Sequence, residues 1–274
     1  MAETISSAAN PLVKRIRLLA NRKHRREQGA FVVEGIQPVW RAVTAGWQIE
    51  ALLVGPDLRP DSAAAAMVDE QEARGVRVAR LSHELFLRLS SREGQAGLAA
   101  IVRSRQPTLA DLSPGHDSVF VALHRIGNPG NLGTIIRTAD AVGSAGVILI
   151  GDTTDPYAPV AVKASMGSLF ATSVVHVPSP EPFLTWAAEH GVEILAASGQ
   201  ADVAHWSTSY RPPLAVLLGS EGEGLPADLL ASAGRRVRIP MTGTAESLNV
   251  AAAAAVLLYE VMRHKLGPDV RRQP

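Results

Sequence analysis

Short apolar runs of strand length alternate along the chain with segments whose apolar residues recur at helical spacing. Residues 10–28 predict a helix: Asn10 suits an N-cap, Pro11 the first helical position, and Ile16, Leu18 and Leu19 supply apolar contacts before Gly29 ends it. AFVVEG follows as a short buried strand, IQPVWRAVTAG as a helix closed by Gly46, and IEALLVG as a second strand. Residues 63–74 predict a helix, VRVARL a strand, HELFLRLS a short helix and GLAAIVR a last strand. Strands alternating with helices imply a small α/β domain with a mixed or parallel sheet.

The connector RQPTLADLSPGHD carries Pro and Gly and sets a domain boundary near Gln106, giving domains 1–106 and 107–274. Beyond it the alternation is more regular. SVFVALHRI, AGVILIG, SVVHVP, VEILAAS, PPLAVLLGS and RRVRIPM predict strands. After a loop at GNPGN come predicted helices at LGTIIRTADAVG, PVAVKASMGSLF, PFLTWAAEHG and LPADLLASAG. A last helix is expected from about residue 247 to 266, stopped by Gly267 and Pro268.

Composition narrows the function classes. Apolar residues make up 46% of the 274 positions and charged residues 19%, so the chain can bury a core and is not of disordered type. The absence of cysteine excludes a disulfide framework and a thiolate metal site. The N-terminus MAETISSAANPLVKRIR lacks a signal-peptide core, and no stretch reaches the roughly 18 apolar residues of a membrane span. A cytoplasmic protein without membrane contact or bound metal is expected.

The formal net charge of +1 hides an asymmetry. Residues 1–105 carry 16 Lys/Arg and 11 Asp/Glu, the remainder 11 and 15. Much of the excess is one cluster, Lys14, Arg15, Arg17, Arg22, Lys23, Arg25 and Arg26, with His24 among them. Such a patch suits phosphates; a solvated helix face is the alternative.

Three segments at strand ends can carry chemistry. The first runs from Gly127 through Asn131 to Arg137, between a strand and a helix; it is neither GxGxxG nor a P-loop. Asn131 and Arg137 are both candidates to face the strand ends. The second, LLGSEGEGLP, puts three glycines and two carboxylates after a buried strand, with Glu221 able to hold a substrate group or an arginine. In the third, IPMTGTAESLNV, Ser247 can cap the last helix and place Asn249 in its first turn. Taken singly, each also reads as an ordinary turn or cap.

Taken in order, the three resemble the SpoU (TrmH) family of RNA 2′-O-ribose methyltransferases. NLGTIIR from Asn131 looks like its first motif, LGSEGEG from Leu218 its second, and IPM through ESLNV from Ile239 to Val250 its third. KASMGSLF from Lys163 also resembles a family segment, and the likeness spans about residues 118–264. NPLVKRIRLLANRKHRREQGAFVVEG more loosely resembles the substrate-recruiting domain of many members. The first motif often begins Asp-Pro in the family and here begins Asn128-Pro129, so position 128 is given no role.

The resemblance implies a C-terminal α/β trefoil-knot methyltransferase domain, a smaller N-terminal L30e-like RNA-binding domain, and a homodimer whose active sites are completed across the interface. It implies S-adenosylmethionine as cofactor, held by Ser198, Leu218, Gly219, Ile239, Met241 and Leu248. Arg137 would take the central catalytic role, with Asn131, Glu221, Ser247 and Asn249 orienting it and the ribose. Arg137 then acts either as a desolvated base or as a cation that binds phosphate and stabilises the developing alkoxide. His124 is the histidine just before the first motif. For RNA the expected contacts are Lys14, Arg15, Arg22, Lys23, Arg25 and Arg26. The implied substrate is 23S rRNA, in a housekeeping or antibiotic-resistance role. A tRNA methyltransferase and a catalytically inactive ribosome-assembly protein are the alternatives. A dinucleotide-dependent oxidoreductase is disfavoured, because no GxGxxG follows the first strand.

Overall fold

A computed structural model describes residues 4–89 and 97–266, which group into two compact units. The first comprises Met1–Arg105 with Asp155–Ala171, the second Gln106–Thr154 with Thr172–Pro274. The expected stop at Gly267 and Pro268, and Ser90 of the expected HELFLRLS helix, lie outside the described residues.

In the first unit the segment predicted as one helix is two, α1 (Pro11–Leu19) and α2 (Arg22–Gln28). The break is chemical. Asn21 turns its side chain onto the amide of Lys23 and caps α2, as Asn10 caps α1 through the amide of Leu12. The rest follows as β1 (Ala30–Glu34), α3 (Ile36–Thr44), β2 (Ile49–Val54), α4 (Ala63–Ala73), β3 (Arg77–Arg80), α5 (His83–Leu89) and β4 (Leu98–Arg103). The sheet order is β1-β4-β2-β3, antiparallel except for the parallel β2–β3 pair, so it is mixed. One face packs on α1 and α5 through Val13, Ile16, Leu19, Leu85, Phe86 and Ile101.

The second unit starts with β5 (Val119–His124), α6 (Pro129–Ala141) and β6 (Gly146–Ile150). The chain then enters Asp155–Ala171 of the first unit, which contains α7 (Pro159–Ala164), and returns for β7 (Val174–Val177), α8 (Pro180–Glu189), β8 (Glu193–Ala197), β9 (Leu214–Leu218), α9 (Ala227–Ser232), β10 (Arg235–Val237) and α10 (Val250–Leu266). These six strands form one parallel sheet, β10-β8-β9-β5-β6-β7. Being covered on both faces, they are the continuous apolar runs seen in the sequence. α6 and α10 pack against each other, and α8 and α9 bury Phe183, Trp186 and Leu229 on a shared core with Phe120 and Ala122. From β5 the chain runs through α6 to β6 on one side; from β9 it runs through α9 to β10 on the other. Neighbouring strands whose connections diverge open a crevice at their carboxyl ends.

The division expected near Gln106 omits one exchange: Asp155–Ala171 belongs with the N-terminal unit. The reason is aromatic. Phe31, pointing off β1 away from α1, lies 4.6 Å from Tyr157 and 6.3 Å from Phe170 between ring centres, and Trp47 donates from its indole to the Phe170 carbonyl at 3.1 Å. Tyr157 donates to the Arg105 carbonyl, and burial pushes its phenol up to about 12, keeping it a donor. Arg25 anchors the same segment. Its Nε and Nη2 reach Asp155 Oδ2 at 2.8 and 2.7 Å, and its Nη1 covers the Leu19 and Ala20 carbonyls that end α1.

Candidate active site

All three strand-end segments meet in the second unit. The Asn128 side chain accepts from the amides of Gly130 (2.8 Å) and Asn131 (3.2 Å) and caps α6. The position left without a role in the sequence is therefore the helix cap, a task that Asn performs about as well as Asp. It starts α6 at Pro129, inside the expected GNPGN loop, and puts Asn131 in the first turn.

From there a hydrogen-bond chain crosses the motifs. Asn131 Nδ2 donates to Glu221 Oε1 at 2.7 Å, and Asn249 Nδ2 donates to Asn131 Oδ1 at 3.1 Å. The Asn249 oxygen accepts from the amides of Ala251 (2.9 Å) and Ala252 (3.4 Å). Because backbone amides can only donate, they fix the Asn249 amide, which fixes Asn131, which presents its NH2 to the carboxylate. Residues 90 and 118 positions apart thus share one oriented network.

Two expectations change here. Asn249, not Ser247, caps the last helix, which begins at Val250; Ser247 is exposed and outside the network. Arg137 also lies outside it. Six residues along a helix is ~9 Å of rise and roughly 120° of net rotation, so Asn131 and Arg137 project differently. The Arg137 side chain is exposed.

The second motif forms a closed turn. Ser220 and Gly224 exchange backbone hydrogen bonds at 3.2 and 3.1 Å, leaving Glu221 and Glu223 exposed at the tip. A β-carbon on Gly219 would overlap the backbone of Gly224 and Leu225, so the turn closes only on glycine. Since β10, β8 and β9 are neighbours, their ends bring Ser198, Leu218 with Gly219, and Ile239 onto one edge. The Ser198 amide donates to the Val237 carbonyl at 2.9 Å. Met241 and Leu248 keep 37% and 39% of their surface exposed, apolar area that the chain itself does not cover. Backbone polar groups beside uncovered apolar side chains suit a flat heteroaromatic ring such as adenine. Among the described residues no cluster of three His, Cys, Asp or Glu could hold a metal.

His124 ends β5, but on the face shared by Phe120 and Ala122, toward α8 and α9. Burial first, then Arg125, lowers its pKa below the usual histidine range, and its Nδ1 has no partner. It is a neutral histidine packed behind the sheet.

The basic cluster divides. Lys14, Arg22, Lys23 and Arg26 are exposed. Arg15 is engaged by Gln28 (2.8 Å) and Glu50 (2.5 Å). Arg25, expected among the phosphate contacts, is 6% exposed and held by Asp155, so it is a structural cation.

Comparison with known proteins agrees with this arrangement. Residues 118–259 match the SpoU rRNA Methylase family and residues 10–100 the MRM3-like substrate binding domain. A 23S rRNA (uridine(2479)-2′-O)-methyltransferase of Streptomyces viridochromogenes is 32% identical over 94% of this chain and 91% of its own. The 23S rRNA (guanosine(2553)-2′-O)-methyltransferase RlmP of Bacillus subtilis is 30% identical over 94% and 98%. An rRNA methyltransferase from Sinorhizobium meliloti, solved with S-adenosylmethionine bound, superposes with a TM-score of 0.88 at 37% identity, covering 97% of this chain and 99% of that one. With its three motifs joined at one strand-end crevice and matched over more than half its length, the chain belongs to the SpoU rRNA methylase family.

Proposed function

We propose that this SpoU methylase transfers the methyl group of S-adenosylmethionine to a ribose 2′-oxygen of 23S rRNA and works as a homodimer. The observation that carries the reading is the Asn249–Asn131–Glu221 chain, which orders polar groups from all three motifs with no other task evident in the fold. It weighs against an inactive assembly protein, which has no need of an oriented network.

Ser198, Leu218, Gly219, Ile239, Met241 and Leu248 would hold the cofactor by backbone hydrogen bonds and apolar contact. S-adenosylmethionine, when bound, supplies an electrophilic sulfonium methyl whose thioether leaves neutral, so no general acid is required. The remaining work is alignment and charge. Asn131 and Asn249 present rigid amides at the crevice, and Glu221 keeps its second oxygen for a substrate group. Arg137 is exposed, so the desolvation that a guanidinium base needs is absent from the single chain. Its role here is that of a fixed cation, binding the RNA phosphate and lowering the cost of the developing alkoxide while the hydroxyl proton leaves to water. Dimerisation is supported by α10, which leaves Val256 and Tyr259 exposed at 36% and 49%.

The test is to offer methyl-labelled cofactor to separated 23S rRNA, 16S rRNA and tRNA, then digest each to nucleosides. Label on a 2′-O-methylribose from 23S rRNA alone is expected; label only in tRNA would move the substrate to the other class.

A further inference from the structure

The first unit contains a groove that the catalytic account does not use. It has a volume of about 480 Å³ and is walled by α1, α5, α7 and the turn from β1 into α3. Ile16, Leu19 and Val162 form a buried apolar floor, while Val160 keeps 55% of its surface exposed at the edge. Three cations line it, Arg17, Arg88 and Lys163, against one carboxylate, Glu34. Of the α7 wall, only Lys163 belongs to the stretch that resembles a family segment, and no residue of the groove takes part in the Asn249–Asn131–Glu221 chain.

We propose that this groove seats one unstacked base of the RNA substrate, distinct from the nucleotide that is methylated; the proposal rests on the RNA reading above. Sequence-selective binding of RNA uses bases splayed out of loops, which stack on aromatic rings or, as Arg17 and Arg88 allow here, on arginine guanidinium planes, while nearby cations hold the phosphates. The groove supplies both. Arg17 is exposed with no ion pair to any described residue, and exposed Lys14 lies one turn earlier on the same side of α1, extending the cationic path. Arg88 is held by an exposed Glu84 at 2.6 Å, a pairing weak enough for a phosphate to replace. Glu34 can accept from a base N–H even with a partner of its own, because a carboxylate offers about four lone-pair sites. A carboxylate beside the slot and cations around it disfavour an acyl chain and favour a cytosine or guanine edge.

Two surface variants test this. Ala20→Leu fills the groove without changing charge, and Arg17→Ala removes a phosphate contact; both positions are exposed and unfolding is monitored by melting temperature. With a 23S rRNA fragment as substrate, each is expected to raise KM roughly tenfold, with kcat at saturating RNA and cofactor affinity unchanged. Arg17→Ala should also flatten the log–log salt dependence of RNA binding by about 0.7–0.9, with Arg17→Lys restoring it. Wild-type KM in Ala20→Leu, or dodecanoate binding in the groove without an effect on RNA KM, overturns the proposal. If the wild-type protein methylates no RNA at all, the proposed function fails instead, so the two failures are separable.

Discussion

Arg137→Ala is expected to lower single-turnover methyl transfer to RNA by roughly 10²–10³-fold, the loss seen when one preorganised donor to a developing oxyanion is removed. S-adenosylmethionine affinity, measured by calorimetry, should stay within about twofold, because Arg137 lies on α6 and not among the strand-end loops assigned to the cofactor. Arg137→Lys should fall between, since an ammonium keeps the charge but loses the planar fork. The pH profile separates the two roles left open by the sequence. A guanidinium acting as base would have to lose its proton, and its loss would change the pH dependence of kcat. A fixed cation leaves the shape of that profile unchanged and scales its height. Undiminished transfer in Arg137→Ala would remove the residue from the mechanism altogether.

Arg25→Ala carries the largest expected effect on stability. Removing one partner of a buried ion pair costs about 3–5 kcal/mol, because the other charge stays behind without compensation. Among the described residues, the Asp155 carboxylate would keep only the Tyr157 amide, and the Leu19 and Ala20 carbonyls would lose the Arg25 guanidinium donor. For a chain of this size the melting temperature should drop by roughly 10 °C. Replacing both partners by apolar residues, Arg25→Met with Asp155→Leu, should recover much of the loss. The salt dependence of RNA binding should not change in the folded variant, whereas a phosphate-binding arginine would alter it. A melting temperature equal to wild type would show that the pair contributes nothing.

These two arginines also mark how far the sequence was legible. Their formal charge is the same, and only tertiary context separates them: Arg25 is buried against Asp155, 130 residues away, and Arg137 stands in solvent. Local patterns carried most of the elements. The strand runs of the second unit were legible because a parallel sheet covered on both faces leaves continuous apolar stretches. Three misreadings share one cause, the side-chain chemistry of asparagine. Asn21 split a helix, Asn128 began one earlier than expected, and Asn249 took the cap expected of Ser247. Each competes for nearby amides in a way that apolar periodicity does not register. The excursion of Asp155–Ala171 into the first unit was hidden as well, because its cause is a cluster of Phe31, Trp47, Tyr157 and Phe170 assembled over more than a hundred residues. The three motifs of the candidate site were legible and the fold brings them together; the bonds joining Asn131 to Glu221 and Asn249 were not, since spacing alone says nothing of amide orientation.

The most direct measurement is a map of 2′-O-methylated nucleotides across total cellular RNA, with and without the gene. Loss of a single 23S rRNA site, restored by the wild-type protein and not by Arg137→Ala, is the expected result. A map that is unchanged throughout, or changed only in tRNA, would contradict the proposal that this chain is a 23S rRNA ribose methyltransferase.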